Sequence, residues 1–185
     1  MMGAVEAGPL PIAATIAEAR AFMRMGAGVD DAVLTGLLRS ATALAEQFTR
    51  TALVSREVRE TLPISGAWQR LALFPVAAIT SVEGVPAEGA PFVLPITDYA
   101  IDIDSGGAGW VKVAHQGAAG RMRVTYRAGL AGSAGEVPDS LRQGIIMAAA
   151  QLHRARDGAS ESGDGSAVPE AVRALWQPWR RMRLT

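Results

Sequence analysis

Seven apolar residues between positions 34 and 48 constrain this chain more than any other feature. Leu34, Leu37, Leu38, Ala41, Leu44, Ala45 and Phe48 are spaced by three, four or one, so they share one face of an α-helix that needs an apolar partner. Asp30 or Asp31 supplies the N-cap. Gly36 lies inside the segment and costs roughly 1 kcal/mol relative to alanine, too little to outweigh the stripe. An earlier helix begins at the capping box of Thr15 and Glu18 and runs to about Met25, with Gly26 and Gly28 as its stop.

The period then changes to two. In VSREVRETL, Val54, Val58 and Leu62 share one side with Arg56 and Glu60, while Ser55, Glu57, Arg59 and Thr61 point the other way, as on an exposed strand. Further strands are expected in WQRLAL, AITSVEGV, YAIDI, WVKVA and RMRVTYR, separated by turns containing Pro or Gly. RMRVTYR puts Met122, Val124 and Tyr126 inward and Arg121, Arg123, Thr125 and Arg127 outward. In DYAIDID, Ile101 and Ile103 face the core and Asp98, Asp102 and Asp104 face water.

Helical spacing returns after the glycine-containing joint at Gly129, Gly132 and Gly135. Pro138 suits the first helical position, and Leu141, Ile145, Ala148, Ala149 and Leu152 form the apolar stripe, which Gly158 can end. DGASESGDGSAV is a flexible polar loop by composition. Pro169 opens a last short helix and Pro178 ends it, leaving PWRRMRLT extended. The fold class expected is α+β, mainly a helical bundle of about four helices with an inserted small antiparallel β region. One domain, 1–185, holds helices at about 15–50, the β region at about 53–127, helices at about 138–157 and 169–177, and an extended tail at 178–185.

With 185 residues, 49% apolar and 19% charged, the chain is expected to be globular. Acidic and basic residues balance at 18 each, so total charge selects no anionic partner. The absence of cysteine excludes disulfides and thiolate metal sites and fits a reducing compartment. The N-terminal stretch reads as neither a signal peptide nor a membrane span.

No catalytic residue, cofactor or metal is expected. The glycines before the helix lack both phosphate-binding patterns, and the aspartates of YAIDID are explained by strand alternation. His115 and His153 fit no metal-ligand spacing. The C-terminal run of Arg173, Arg180, Arg181 and Arg183 with Trp176 and Trp179 allows three readings: a solvated helix end whose tryptophans pack inward, a protein interface, or a nucleic-acid contact.

Four stretches, in order, resemble the head-tail connector (adaptor) family of tailed bacteriophages and gene transfer agents. They are PIAATIAEARAFMRM leading to VDDAVLTGLLRSATALAEQFTRTALVSRE; LALFPVAAITSVEGV; DYAIDID; and VTYRAGLAGSAGEVPDSLRQGIIMAAAQLHRAR followed by VPEAVRALWQPWRR. The chain departs from the family in lacking an aromatic near Leu152 to Arg154 and in having Trp179 where tyrosine is common.

The resemblance implies a non-enzymatic structural protein of the virion neck, made in the host bacterial cytoplasm. It implies a homo-oligomeric ring of twelve copies beneath the portal. The partners implied are further copies, the portal protein, a head-completion (stopper) or tail protein, and DNA passing through the channel without specific binding; no membrane is involved. On this reading Trp176, Trp179, Arg180, Arg181, Met182, Arg183 and Leu184 form the portal interface, swung out by the loop 157–168. Arg121, Arg123, Arg127, Asp102 and Asp104 are ring or lumen charges. The alternatives are a small nucleic-acid-binding accessory protein using the Arg/Trp tail and, more weakly, a hydrolase using His153 or Asp139.

Overall fold

The computed structural model describes residues 4–26, 31–115, 117–156 and 168–181. The chain divides into two compact units, one of Met1–Pro9 with Ser55–Leu130 and the other of Leu10–Val54 with Ala131–Thr185. Each has its own buried core.

The helical unit contains α1 (Ile16–Met23), α2 (Asp31–Thr49), α3 (Asp139–Arg156) and α4 (Glu170–Trp176), with 3-10 turns at Ala134–Glu136 and Gln177–Trp179. The capping box at the start of α1 forms: Thr15 Oγ1 accepts from Glu18 N at 3.2 Å, and Glu18 Oε2 accepts from Thr15 N at 2.8 Å. The stop differs from expectation. Arg24, not Gly26, takes the left-handed conformation at φ 53°, and its N–H closes the last turn on Ala21 O. Gly28 and Asp30 lie outside the described residues.

In α2 the stripe is buried as its spacing requires, with Leu34, Leu38, Ala41 and Ala45 at the centre and Leu37, Leu44 and Phe48 half-buried. Thr42 and Thr49 are buried too, which the apolar pattern did not show. Their hydroxyls donate to Leu38 O and Ala45 O one turn back, and Thr42 Oγ1 also accepts from Ala13 N at 3.2 Å, so neither is left unsatisfied.

The buried arc of α3 is wider than its five-residue stripe and includes Gly144, Ile146 and Ala150. Gly144 admits the fully buried Trp176 of α4, whose Nε1 donates to Leu141 O at 3.3 Å. Pro138 stands immediately before α3, and its carbonyl accepts from Arg142 N. Likewise Pro169 precedes α4, which ends at Trp176 where the turn holding Pro178 begins.

The second unit contains two antiparallel sheets. β1 (Ala4–Ala7), β2 (Arg56–Pro63), β4 (Val76–Val85), β5 (Phe92–Val93) and β8 (Arg121–Ala128) form one, in the order β1-β2-β8-β4-β5. β3 (Gln69–Arg70), β6 (Tyr99–Ile103) and β7 (Gly109–Val113) form the other, in the order β3-β7-β6. β2 lies between β1 and β8, and its alternation forms as read, with Val58, Glu60 and Leu62 buried and Glu57 and Arg59 exposed. WQRLAL contracts to the two residues of β3.

Val58, Leu62, Val82, Met122, Val124 and Tyr126 pack from the larger sheet with Leu71, Val111 and Val113. Ile101 and Ile103 do not join them in full. They lie on the edge strand β6 and remain 43% and 38% exposed.

The expectation of a mainly helical bundle with a small β insertion is therefore overturned. Among the described residues, eight strands hold nearly as many residues as the four helices, and the sheets bury their own cluster of twelve. The fold is a mixed α+β fold. The physical reason lies in the second period: β2, β4 and β8 each bury an alternating face, and three such faces suffice for an independent core.

Candidate functional site

The solvent face of the five-stranded sheet carries the arginines of β8. Its register sets opposite charges side by side: Arg127 faces Glu57, Arg123 faces Glu83, and on the next pair of strands Arg59 faces Glu6. Arg123 Nη1 lies 3.9 Å from Glu83 Oε2, and Arg59 Nη2 lies 3.1 Å from Glu57 Oε1. Arg121 stands apart, opposite Pro63 and Val85. The face is a mosaic of both signs.

The buried side of the same sheet holds an inward carboxylate. Glu60 is 3% exposed and accepts from Ala72 N and from Tyr126 Oη, each at 2.9 Å. Tyr126 Oη in turn accepts from Leu73 N at 3.2 Å. Burial first, then the Glu60 carboxylate, pushes the Tyr126 phenol well above its usual range. This network holds the 72–73 backbone against the sheet. A signal for it was present, because Glu60 falls on the same side as Val58 and Leu62.

Asp102 and Asp104 have different roles. Asp102 is exposed on β6, opposite Trp110. Asp104 accepts from Gly106 N and Ala108 N, both at 2.9 Å, and from Trp110 Nε1 at 3.0 Å. The Trp110 hydrogen bond, and then that from Ala108, holds its carboxyl below the usual aspartate value. Asp104 therefore builds the β6–β7 turn.

The glycine joint is stitched closed from within. Glu136 Oε2 accepts from Gly132 N at 2.9 Å, so a carboxylate occupies the place that an anion would take. Arg142 binds the surrounding pieces together: Nε to Glu18 Oε1 at 3.0 Å, Nη1 to Gly135 O at 3.0 Å, and Nη2 to Asp139. Glu18 is held below the ordinary carboxylate value, chiefly by its Thr15 hydrogen bond. Asp139 and His153 stand about 21 Å apart along α3 by helical rise, so they form no acid–base pair. No group of three or more potential metal ligands occurs among the described residues.

The C-terminal tryptophans are engaged. Trp176 is wholly buried, and the half-buried Trp179 donates from Nε1 to Ser140 Oγ at 3.0 Å. Trp176 therefore offers no face on which a base could stack. Arg180 is exposed, with its guanidinium 5.6 Å from the Phe48 ring centre, and Arg181 N donates to Thr49 O at 3.1 Å. Met182, Arg183 and Leu184 lie outside the described residues, as do positions 157–167 of the proposed hinge loop.

Two depressions flank α1 where it meets α3. One, of about 440 Å³, is lined by Phe22, Met23, Met25, Ala150, His153 and Arg154. The other, of about 730 Å³, is wider and is lined by Ala21, Phe22, Gln143 and Ile146 together with the charged Glu18, Asp139 and Arg142. Sequence reading missed this groove because it arises from residues more than 100 positions apart.

The described residues present contact surfaces: a mosaic sheet face, an α1–α3 groove and a basic C-terminal segment. No family model and no curated protein matches the chain. Solved structures do. The chain is similar to one from the neck of an empty gene transfer agent (GTA) particle computed with C6 symmetry, at TM-score 0.76 and 28% identity over 98% of this chain and 97% of that one. It is also similar to one from the neck of a native GTA particle computed with C12 symmetry, at TM-score 0.75 and 27% identity over 100% and 98%. A third, from the virion of a native GTA particle, gives TM-score 0.74 and 27% identity over 98% and 97%. The resemblance to head-tail connectors is borne out, and the fold is that of a structural protein of the gene transfer agent virion neck.

Proposed function

We propose that this chain is a head-tail connector (adaptor) subunit, assembled as a twelve-copy ring beneath the portal and joining head to tail around the DNA channel. The observation that carries this reading is the likeness to GTA neck chains over nearly the full length of both, including a neck computed with C12 symmetry. Such a ring needs surfaces and no reaction centre, consistent with a polar sheet face, a helical groove and a basic C-terminal segment. The axial contact to the portal runs through Trp179 to Leu184, with Arg180 exposed beside Phe48.

The test uses particles from cells carrying a deletion of the gene and from cells producing a chain that lacks residues 182–185. The described packing of Trp179 and Arg181 remains in that variant. Gene deletion is expected to yield DNA-filled heads without tails, and the truncated chain to fold but fail to co-purify with the portal protein. Tailed particles formed without the polypeptide overturn the connector reading; undiminished portal binding by the truncated chain overturns the tail's role.

A further inference from the structure

A closed ring joins each copy to the next by a heterologous contact, so one chain must carry two different and complementary patches. The large apolar side chains exposed among the described residues are concentrated accordingly. Five of nine lie in 92–103: Phe92, Val93, Ile96, Ile101 and Ile103, with Val93 70% and Ile96 81% exposed. In the helical unit the one such residue is Phe22, 47% exposed between the two depressions of the α1–α3 groove. Large apolar side chains gathered in one exposed segment are candidates for a contact site.

The two patches match in form and charge. The first includes β6, an edge strand with no lysine, proline or bulge to protect it from pairing. The second is a concave surface that includes Met23 and Met25, and methionine adapts to irregular partners. Asp102 is exposed between Ile101 and Ile103, and the depression holding Met23 and Met25 is edged by Arg154, while in the adjoining depression Glu18 and Asp139 are already paired with Arg142. Complementary charges at the rim of an apolar contact fix its register.

We propose that segment 92–103 of one copy packs into the α1–α3 groove of the next copy, its isoleucines against Phe22 and Asp102 towards Arg154. The inference rests on the ring reading above and specifies its neighbour-to-neighbour contact. It also accounts for the exposure of Ile101 and Ile103, which strand alternation had assigned to the core.

The natural chain has no cysteine, so engineered thiols report without background. Ile96→Cys with Phe22→Cys, and separately Ile101→Cys with Arg154→Cys, are treated with a short bismaleimide in purified particles and in concentrated purified protein. Far-UV circular dichroism verifies folding. The double variants are expected to give a ladder at multiples of 19.3 kDa, and each single variant only monomer. Dimers from a single variant would show a like-with-like contact and overturn the proposal. Folded chains that enter particles but give no ladder with either pair also overturn it, leaving the neck reading intact. If the chain is absent from particles, the neck reading fails, and the presence or absence of a ladder in concentrated protein still decides the contact.

Discussion

Gly144 gives the most direct test of the helical packing, because helix propensity and the structure predict opposite signs. A glycine inside α3 invites replacement by alanine, which alone would stabilise the helix by about 1 kcal/mol. Yet a Cβ at Gly144 would lie 2.9 Å from Trp176 Cδ1 and 3.0 Å from Cε2, well inside ordinary carbon contact at about 3.5 Å. Trp176 has no room to retreat: it is wholly buried, its ring centre is 5.9 Å from that of Phe48, and Nε1 is held by Leu141 O. Overpacking costs about 1–3 kcal/mol, and loss of the indole hydrogen bond adds about 1 kcal/mol. Subtracting the propensity gain, Gly144→Ala should destabilise by about 1–3 kcal/mol, lowering Tm by roughly 3–10 °C for a chain of this size. Thermal melting followed by circular dichroism and tryptophan fluorescence reads the shift. Gly36→Ala in α2 is the control: Gly36 is exposed, a Cβ there meets nothing within 4 Å, and the substitution should raise Tm. Trp176→Phe should partly relieve the Gly144→Ala defect by emptying the clash. A Gly144→Ala Tm at or above that of the wild type refutes the packing described.

Three further outcomes follow from the hydrogen-bond geometry and the exposed acids. Tyr126→Phe removes the acceptor of Leu73 N and one donor to buried Glu60, a loss of about 1–3 kcal/mol. Because the folded pKa of Tyr126 is raised, its contribution is intact below the unfolded value of about 10 and is lost as pH rises through the folded value; alkaline titration at 295 nm should show its ionisation coinciding with unfolding. Thr15→Ala should cost about 0.5–2 kcal/mol in denaturant unfolding. Glu18, whose folded pKa is lowered, stabilises above the ordinary carboxylate value and ceases to as pH falls through its lowered one, so the Thr15→Ala defect should shrink in acid. Asp102→Lys should weaken cross-linking of the Ile96→Cys with Phe22→Cys pair by setting a second cation against Arg154, and undiminished cross-linking removes Asp102 from that contact; Asp104 is unsuited to that test because its substitution opens the β6–β7 turn.

What the sequence revealed follows the range of the forces involved. The α2 stripe and the Thr15–Glu18 box depend on residues within a few positions, and both form as read. β8 was legible because strict alternation needs no knowledge of its partners. β1 and β5 were not, since four exposed residues and two exposed residues become strands only by pairing with β2 and β4. The balance between helix and sheet was misjudged for the same reason: the core depends on pairings such as Val58 with Tyr126, remote in sequence. Within the tail, spacing could not separate Trp176 from Trp179. Only the vacancy over Gly144 puts the first wholly inside.

The arginines of β8 bear on how a neck protein handles DNA. Read along one strand, Arg121, Arg123 and Arg127 look like a phosphate-binding strip, but phosphate contact requires cations not already neutralised. Sheet register sets acids beside them, with Glu57 facing Arg127, Glu83 facing Arg123 and Glu6 facing Arg59, and ion pairs close between Arg123 and Glu83 and between Arg59 and Glu57. To bind a phosphate, Arg123 must leave Glu83 and Arg59 must leave Glu57, pairs worth about 0.2–1 kcal/mol, and the carboxylates beside them repel the same phosphate. Replacing Glu6, Glu57 and Glu83 together by glutamine should release three arginines without altering the buried face. The affinity for duplex DNA should rise and its dependence on salt steepen, with a slope of log K against log salt up to about 3 units more negative at about 0.9 per phosphate engaged. An unchanged slope in a folded triple variant would mean that the paired glutamates do not restrain these arginines, and the polar mosaic would lose its role in keeping this sheet face from holding DNA.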